Sequence, residues 1–301
     1  MMNFWKLLRM QFEFVRQFWI GPPVYVWLPR RKPWKAISKE VNATQIISFC
    51  VAFLEYGELK MEQIYRQVEQ NIDNLVVNQV GWSNTATAEQ LESARNGILL
   101  IPFYDKTVPQ EWFENLVGKR VLCLAGAGGL QGPILAAAGA KVTVVDLSDK
   151  MLEKDREIAR HENLHMEIIK GNMCDLSMLE EGSFDLILNP PSLMYVPDPV
   201  EVFRECARVL KPGGELIVMA PTPVNYLCDF VEDENGGYYK AVHKMPYDSR
   251  EFDDSGWVEY GHTMETYLGG LIRSGFVITG YTECQMEDIT ELQFMVRAKR
   301  V

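Results

Sequence analysis

Short apolar runs alternate with helix-period segments over the second half of the chain. After Gly118 the apolar runs lie at 120–125, 141–146, 166–170, 184–188 and 215–220, and two more follow at 276–283 and 292–299. Helix-period segments separate them at 130–138, 149–160, 199–210 and near 265–273. Strands joined by such helices run parallel and are covered on both faces. The pattern predicts an α/β fold with a doubly wound, mainly parallel, seven-stranded sheet.

The first part of the chain has a different pattern. Apolar residues recur at helical spacing over 42–70, which predicts one amphipathic helix with Gly57 as a candidate break. We therefore divide the chain into an N-terminal helical extension, 1–77, and a main domain, 78–301. Because the predicted sheet lies beyond Gly118, we expect the extension to be dispensable for ligand binding at the sheet.

The start of the chain combines aromatic and basic side chains. Aromatic residues lie among Lys6, Arg9 and Arg16, and the basic run 30–32 follows. One interpretation is a helix that lies on an anionic membrane surface. The other is a helical arm packed on its own domain or on a second subunit, which we favour because the aromatic residues form no clean stripe. We expect at most a weak membrane or subunit contact through residues 1–77.

The chain as a whole is acidic, with a formal net charge of −11 over 301 residues. This charge repels a polyanion, which disfavours a broad nucleic-acid-binding surface and favours small or neutral partners. The six cysteines form no C-x-x-C pair, so we expect neither a metal site nor a disulfide framework. Because there is no signal-peptide pattern and no apolar run of about 18 residues, we expect a cytoplasmic protein.

A turn of small residues follows the first strand of the predicted sheet. Residues 121–132, VLCLAGAGGLQG, lead from an apolar strand into an apolar helix. Small side chains let a ligand approach the backbone, and the helix N-terminus offers free N–H groups. Asp146 ends the next strand about 20 residues later, where nucleotide-binding folds place the carboxylate that binds a ribose diol. Since Ser148 and Asp149 are better placed as helix caps, we predict that Asp146 binds ribose, which NAD, FAD and other nucleotide cofactors share.

A longer block narrows the choice of family. Residues 184–220, FDLILNPPSLMYVPDPVEVFRECARVLKPGGELIVMA, resemble the block of class I S-adenosylmethionine (SAM) methyltransferases in which an FD strand, a helix and RVLKPGG precede the next strand. The segments VLCLAGAGG, VVDLS and GNMCDL come before it in the family's order. From about Trp82 onward the chain is also similar to a subset of uncharacterised bacterial methyltransferases with an LAxGGGQQGP-type loop. The resemblance implies a Rossmann-like fold, SAM as the cofactor and a methyl acceptor, which we expect to be a small molecule.

The resemblance also implies roles for single residues around the cofactor. It places Asp146 on the ribose, Leu147 against the adenine ring and Asn189 where cofactor and acceptor meet. Asn172 and Met173 correspond to the pair that binds the adenine edge through an amide oxygen and a backbone N–H. The loop over the methionine part of SAM corresponds to Ala125, Gly126, Ala127, Gly128 and Gly129.

Three departures from the family pattern fall in this site. The family has an acidic residue at the position of Cys123, glycines at those of Ala125 and Ala127, and an Asp at that of Asn172. The consequence would be weak cofactor binding, or a non-catalytic scaffold protein that binds SAM without turnover. We favour an active enzyme, because the loop keeps the small side chains that close backbone approach requires.

The acceptor side offers two further candidates for chemistry. The tetrad Asn189-Pro190-Pro191-Ser192 resembles the Asn-Pro-Pro-aromatic motif of amino-group methyltransferases, but Ser192 replaces the stacking aromatic. Methylation of a nucleobase or protein amide is therefore an alternative, as is a purely structural turn. His262, in YGHTMETYLGG, is our candidate general base for the acceptor, with a packing histidine as the alternative.

A tyrosine-rich insertion separates the fifth strand from the helix that follows. It spans residues 221–261 and is long enough to cover the pocket. We expect either an aromatic lid over the acceptor or a satellite hydrophobic cluster under a long loop.

Overall fold

The computed structural model describes most of the chain beyond residue 42. The described residues are 43–78, 84–104, 106–113, 115–126, 128–234, 236–251, 255–284 and 292–301, and of residues 43–58 and 60 the backbone alone is described. The basic and aromatic start and Ala127 therefore lie outside the described residues. Contacts divide the chain after Phe53, and Leu54–Val301 is one compact unit. In the described part, no helix is long and apolar enough to cross a membrane.

A seven-stranded sheet forms the centre of this unit, as the sequence pattern predicts. Its strands are β1 Arg120–Leu124, β2 Lys141–Asp146, β3 Met166–Lys170, β4 Phe184–Asn189, β5 Leu210–Pro221, β6 Phe276–Cys284 and β7 Gln293–Arg300. Across the sheet they lie in the order β6-β7-β5-β4-β1-β2-β3. β7 is antiparallel to both of its neighbours, and the other pairings are parallel. The predicted Rossmann-like fold class is confirmed.

The helices of the described residues are α1 Ala43–Val77, α2 Ala88–Arg95, α3 Gln131–Ala137, α4 Asp149–Glu162, α5 Pro199–Val209, α6 Val224–Leu227 and α7 Gly270–Arg273, the last preceded by a π-turn at Glu265–Gly269. α2, α3 and α4 pack on one face of the sheet, and α5 and α7 pack on the other. Short 3₁₀ turns lie at Gln110–Trp112, Leu193–Tyr195 and Ser249–Glu251. α1 continues through Gly57, so the expected break there is wrong.

Alternation along the central strand separates two hydrophobic cores. Val121 and Cys123 of β1 belong to the core on one face, with residues of α2, α3 and α4. Leu122 and Leu124 belong to the core on the other face, with residues of α5 and α7. All four side chains are fully buried. A strand buried on both faces has a continuous apolar sequence, and for this reason the sequence pattern predicted β1 correctly.

Three two-stranded antiparallel pairs, each called a hairpin here, lie outside the sheet in the described residues. One pairs Pro102–Phe103 with Lys106–Thr107. Within the insertion, Cys228–Asp233 pairs with Gly236–Ala241, and Tyr247–Asp248 pairs with Tyr260–Gly261. The insertion therefore folds mainly as short antiparallel ribbons.

Candidate active site

A large cavity lies at the carboxyl ends of the first four sheet strands. Its volume is about 680 Å³, within the usual range for small-molecule sites. The strand order reverses between β1 and β4, which is the switch point where open α/β sheets bind ligands. The loops after β1, β2, β3 and β4 each contribute lining residues. The cavity therefore lies next to the loop after β1 that the sequence predicted to bind the cofactor.

The loop after β1 brings backbone groups close to this cavity. Ala125 lines it in the left-handed conformation, with φ of 54°, and its N–H donates to Val145 O at 2.8 Å. Gly128 and Gly129 also have positive φ, where a side chain would add strain. A Cβ on Gly126 would lie 3.0 Å from Val144 Cγ1. The small residues of the loop are therefore required by its own tight geometry.

Asp146 lies at the end of β2 and lines the cavity together with Leu147. Its Oδ1 accepts a hydrogen bond from the Ser148 N–H at 2.9 Å. Burial raises the pKa of Asp146 to about 6, against the opposing effect of backbone N–H groups that favour its ionised form. A carboxylate held in this way can accept hydrogen bonds from a vicinal diol.

Asn172 and Met173 line the cavity in the loop after β3. Asn172 Oδ1 accepts a hydrogen bond from Cys174 N–H at 3.0 Å, which fixes the turn. An amide oxygen has two lone pairs, so one remains for a second donor. The hydroxyl of Tyr65 is hydrogen-bonded to the side chains of Cys174 and Asn172, and burial raises its pKa. This part of α1 therefore packs on the loop predicted to hold adenine.

Asn189 lies beneath the cavity, and the three residues after it form part of the lining. Its side chain is 1% exposed, and its Nδ2 donates to Leu124 O at 3.0 Å and to Ser192 Oγ at 2.8 Å. The Ser192 hydroxyl in turn donates to Pro190 O at 3.0 Å. Asn189 Oδ1 is buried without a hydrogen-bond partner among the described residues. The serine hydroxyl therefore uses one of the two lone pairs of Pro190 O.

His262 does not lie in the cavity lining. The side chain is 3% exposed, and its Nε2 faces two backbone carbonyls, Leu193 O at 3.1 Å and Val196 O at 3.0 Å. Burial lowers its pKa. Because the ring nitrogen is committed to these carbonyls, the position does not support a general base and favours the packing alternative. His262 instead holds the turn whose residues Met194, Tyr195 and Val196 line the cavity.

The insertion contributes none of the described lining residues, so the expected aromatic lid is not supported. Its aromatic rings pack on one another and behind the cavity wall. The ring centroids of Tyr226 and Tyr247 are 5.4 Å apart, and those of Tyr195 and Trp257 are 6.2 Å apart. Tyr260 packs with Val258 and with residues of α1 in a separate small cluster. The geometry favours the satellite cluster.

Several lining residues were not found by reading the sequence. Three of them, Tyr65, Val68 and Ile72, come from α1. The expectation that residues 1–77 are dispensable for ligand binding stays untested, and these three positions argue against it. Other unforeseen lining residues lie before β1 or in α3 and α4, and they include Thr85, Phe103, Tyr104, Gln131 and Met151. The apolar stripe of α1 predicted an amphipathic helix, but no local pattern in the sequence indicated which element its apolar face contacts.

The described residues fit a nucleotide cofactor with a polar tail. The cavity lining combines a carboxylate at Asp146 with close backbone approach at Ala125. Gln131, at the start of α3, also lines the cavity, and its Oε1 is buried without a partner among the described residues. An unpaired buried carbonyl oxygen needs a donor, and the ammonium group of a methionine moiety is one.

The fold and this cavity define a class, the Rossmann-like α/β proteins that bind a nucleotide cofactor at the sheet's switch point. Comparison with known proteins narrows the class. A family model described as "Methyltransferase domain" matches residues 122–218. The uncharacterized methyltransferase YbaJ of Bacillus subtilis is 39% identical over 215 residues, which cover 67% of this chain and 83% of the relative. The chain belongs to the SAM-dependent methyltransferases, and SAM is its cofactor.

Two further comparisons set the limits of the similarity. A SAM-dependent methyltransferase from Mesorhizobium loti superposes with a TM-score of 0.54 at 25% identity, over 64% of this chain and 95% of that one. A ubiquinone biosynthesis O-methyltransferase from Xanthomonas oryzae is 36% identical over 104 residues, 35% of this chain and 44% of the relative. This second match spans less than half of the relative, so it carries no inference about the acceptor.

Proposed function

We propose that this protein transfers the methyl group of SAM to a small, uncharged and largely apolar acceptor. The composition of the cavity lining is the observation that carries the proposal. Among the described lining residues, Asp146 is the only carboxylate or cationic side chain. Burying an acceptor charge without a partner would cost several kcal/mol. An apolar acceptor meets no such cost.

The elements outside the sheet supply the apolar surface. Val68 and Ile72 come from α1, Phe103 from the first hairpin, and Met194 and Val196 from the turn after β4. Val68 and Val196 are buried even with the cavity open. We assign these residues to the acceptor, because the loops after β1, β2 and β3 already carry the groups proposed to bind SAM.

On the cofactor side we propose one role for each predicted residue. Asp146 accepts from the ribose hydroxyls, Leu147 packs on adenine, and Asn172 with the Met173 backbone binds the adenine edge. The loop of Ala125, Gly126, Gly128 and Gly129, with Ala127, cradles the methionine part. Asn189 contributes indirectly, since its hydrogen bonds fix Leu124 O and Ser192 beneath the lining.

The contribution of the protein to the reaction is mainly alignment. SAM supplies a methyl group on a positively charged sulfur. The nucleophilic atom of the acceptor bonds to the methyl carbon from the side opposite the sulfur, and the sulfur leaves as the neutral thioether of S-adenosylhomocysteine (SAH). The rigid turn held by His262 positions the acceptor, and the buried wall excludes water. The described lining contains no histidine and no carboxylate besides Asp146. We therefore favour acceptors whose nucleophilic atom needs no protein base.

The amino-group alternative is disfavoured by the absence of an aromatic side chain at Ser192. The Ser192 hydroxyl donates to Pro190 O at 3.0 Å, so a ligand amine would share this carbonyl with the serine. Without an aromatic platform, a planar base also lacks a stacking contact of about 1 to 3 kcal/mol. The tetrad is better explained as a rigid turn at the end of β4.

A screen with isotopically labelled SAM tests the proposal. Acceptors are compared in matched pairs that share one skeleton and differ by a single carboxylate, and we expect label in the apolar member alone. Met194→Glu places a charge in the proposed acceptor wall and should abolish transfer while SAM affinity persists. Val277→Glu, at a position of edge strand β6 that is 51% exposed and outside the lining, is the matched control. Equal labelling of charged and apolar members would overturn the acceptor class.

A further inference from the structure

A carboxylic acid lies completely buried beside the cofactor loop. Asp155 belongs to the buried face of α4, with Met151 and Leu152, where an apolar side chain would be expected. It is 0% exposed, and both carboxyl oxygens lack a hydrogen-bond partner among the described residues. A buried, unpaired carboxylate is among the costliest groups a fold can hold. Apolar packing alone therefore does not explain why an acid lies at position 155.

The groups nearest to Asp155 belong to the start of α3 and the loop before it. A Cβ added to Gly132 would lie 3.4 Å from Asp155 Oδ1. The backbone N–H of Gly129 lies close enough to favour the ionised carboxylate, although it does not form a hydrogen bond of normal geometry. Gly129 also approaches α4 at the backbone of Lys154. The acid therefore reaches the glycine turn from the helix packed behind it.

The charges around Asp155 keep it protonated in the free protein. Burial raises the pKa of Asp155 to about 8, and the negative charge of Asp146 adds to this. The Gly129 N–H and the Arg156 guanidinium oppose the shift. A further ionisable neighbour is the thiol of Cys123, whose pKa is raised by burial and then by Asp155 and Asp146. The thiol thus stays neutral, and above pH 7 the charge of Asp155 changes while Asp146 is already ionised.

We propose that Asp155 is a positioning residue of the cofactor loop, which supplies from α4 the acidic group that the family pattern has at the position of Cys123. It loses its proton when the positive charge of SAM enters the cavity, and the carboxylate then accepts from the Gly129 N–H and fixes the turn. The inference rests on the proposed placement of SAM. SAH lacks the sulfonium charge, so it shifts this equilibrium less.

Calorimetry in buffers of different ionisation enthalpy measures the proton exchange. At pH 7.5 Asp155 is mostly protonated in the free protein and Asp146 is mostly ionised, given pKa values of about 8 and about 6. SAM binding to the unmodified protein should therefore release more protons than binding to Asp155→Asn. The subtraction cancels the contribution of the amino group of SAM itself. Glu153→Gln, on the exposed side of α4, is the matched control and should behave like the unmodified protein.

A second effect should follow in affinity. The preference for SAM over SAH should fall about tenfold in Asp155→Asn, the order expected for one hydrogen-bonded charge. The double variant Cys123→Asp/Asp155→Asn, which moves the acid to the family position, should recover part of that preference. A merely structural role for Asp155 would lower the affinities for SAM and SAH equally and leave proton release unchanged.

The outcomes separate this inference from the proposed function. If SAM does not bind to the unmodified protein, the cofactor placement fails. If SAM binds and Asp155→Asn releases as many protons as the unmodified protein, the role of Asp155 alone is overturned. If Asp155→Asn does not fold, the pH dependence of the thermal stability of the unmodified protein still tests the role of Asp155. This thermal stability, measured without ligand, should fall as pH rises from 6.5 to about 8, because the folded state still holds a proton on Asp155 that the unfolded state has released, and the decline should level off above about pH 8. A flat profile would contradict the proposal.

Discussion

At the scale of single residues, Asp146 is the group that we propose for the main contact with the cofactor ribose. Asp146→Asn keeps the size of the side chain and removes its charge. We expect SAM affinity to fall about 10- to 100-fold, which corresponds to about 1.5 to 3 kcal/mol for hydrogen bonds to a charged group. Asp149→Asn, three residues along the chain and 60% exposed, is the control and should leave affinity unchanged. Equal titration curves for the two variants would remove Asp146 from the site.

The pKa of Asp146 gives a separate prediction. Burial raises this pKa to about 6, and in the proposed site the ribose hydroxyls would donate to the ionised form. As pH falls through about 6, the free protein gains a proton that ligand binding must expel, so affinity falls. Between pH 7 and pH 5 we expect about a tenfold loss of SAH affinity, measured with SAH to avoid the sulfonium charge. Asp146→Asn should show no such decline, and a decline in this variant of the same size would contradict the assignment.

His262 tests the difference between a catalytic and a structural histidine. His262→Ala removes the ring nitrogen that faces the carbonyls of Leu193 and Val196, and among the described residues Leu193 O keeps only the Val196 N–H as a donor. The free energy of unfolding should therefore fall by about 1 to 3 kcal/mol. Because burial lowers the pKa of His262, its contribution is present above about pH 6.5 and is lost as pH falls below it. Denaturant unfolding at several pH values measures this. His161→Ala, at an 84% exposed side chain, should change stability by less than about 0.5 kcal/mol.

A catalytic His262 would give the opposite pair of results, with unchanged stability and slower methyl transfer. If His262→Ala is as stable as the unmodified protein but transfers methyl groups 10²- to 10⁴-fold more slowly, the general-base expectation is restored. The sequence could not distinguish these roles. The carbonyl partners of His262 lie 69 and 66 residues earlier in the chain, and no local pattern indicates them.

At the scale of elements, α1 is both a cover for the cavity and a support for α4. Its Tyr65, Val68 and Ile72 line the cavity. Its Asp73 accepts a hydrogen bond from the hydroxyl of Ser148, the residue that caps α4. Periodicity predicted the helix but not this contact, because periodicity shows which face is apolar and not which element covers it.

Two truncations test the role of α1. A chain that begins at residue 43 keeps every described lining residue, and we expect it to bind SAM like the full chain. A chain that begins at residue 78 lacks Tyr65, which packs on the loop of Asn172, and Asp73, which accepts from the cap of α4, so its SAM affinity should fall about tenfold or more. Circular dichroism shows whether each chain is folded. Full SAM affinity in a folded chain lacking residues 1–77 would contradict the role of α1.

At the scale of the whole molecule, the sheet was predictable and the acceptor end of the cavity was not. Strands such as β1 are apolar on both faces, and Asp146 ends β2 at a spacing typical of nucleotide-binding folds. These signals are local, so the sequence shows them. The acceptor wall combines α1, the hairpin at 102–107 and the turn at Leu193–Tyr195, which are distant along the chain. Their meeting depends on tertiary packing, and so does the burial of Asp155.

A crystal structure of the protein with SAH tests the central claim most directly. We expect SAH at the carboxyl ends of β1, β2 and β3, with both ribose hydroxyls on Asp146 and its sulfur directed toward the apolar wall of Val68, Phe103 and Met194. Density for SAH at any other place, or with Asp146 turned away from the ribose, would contradict the account.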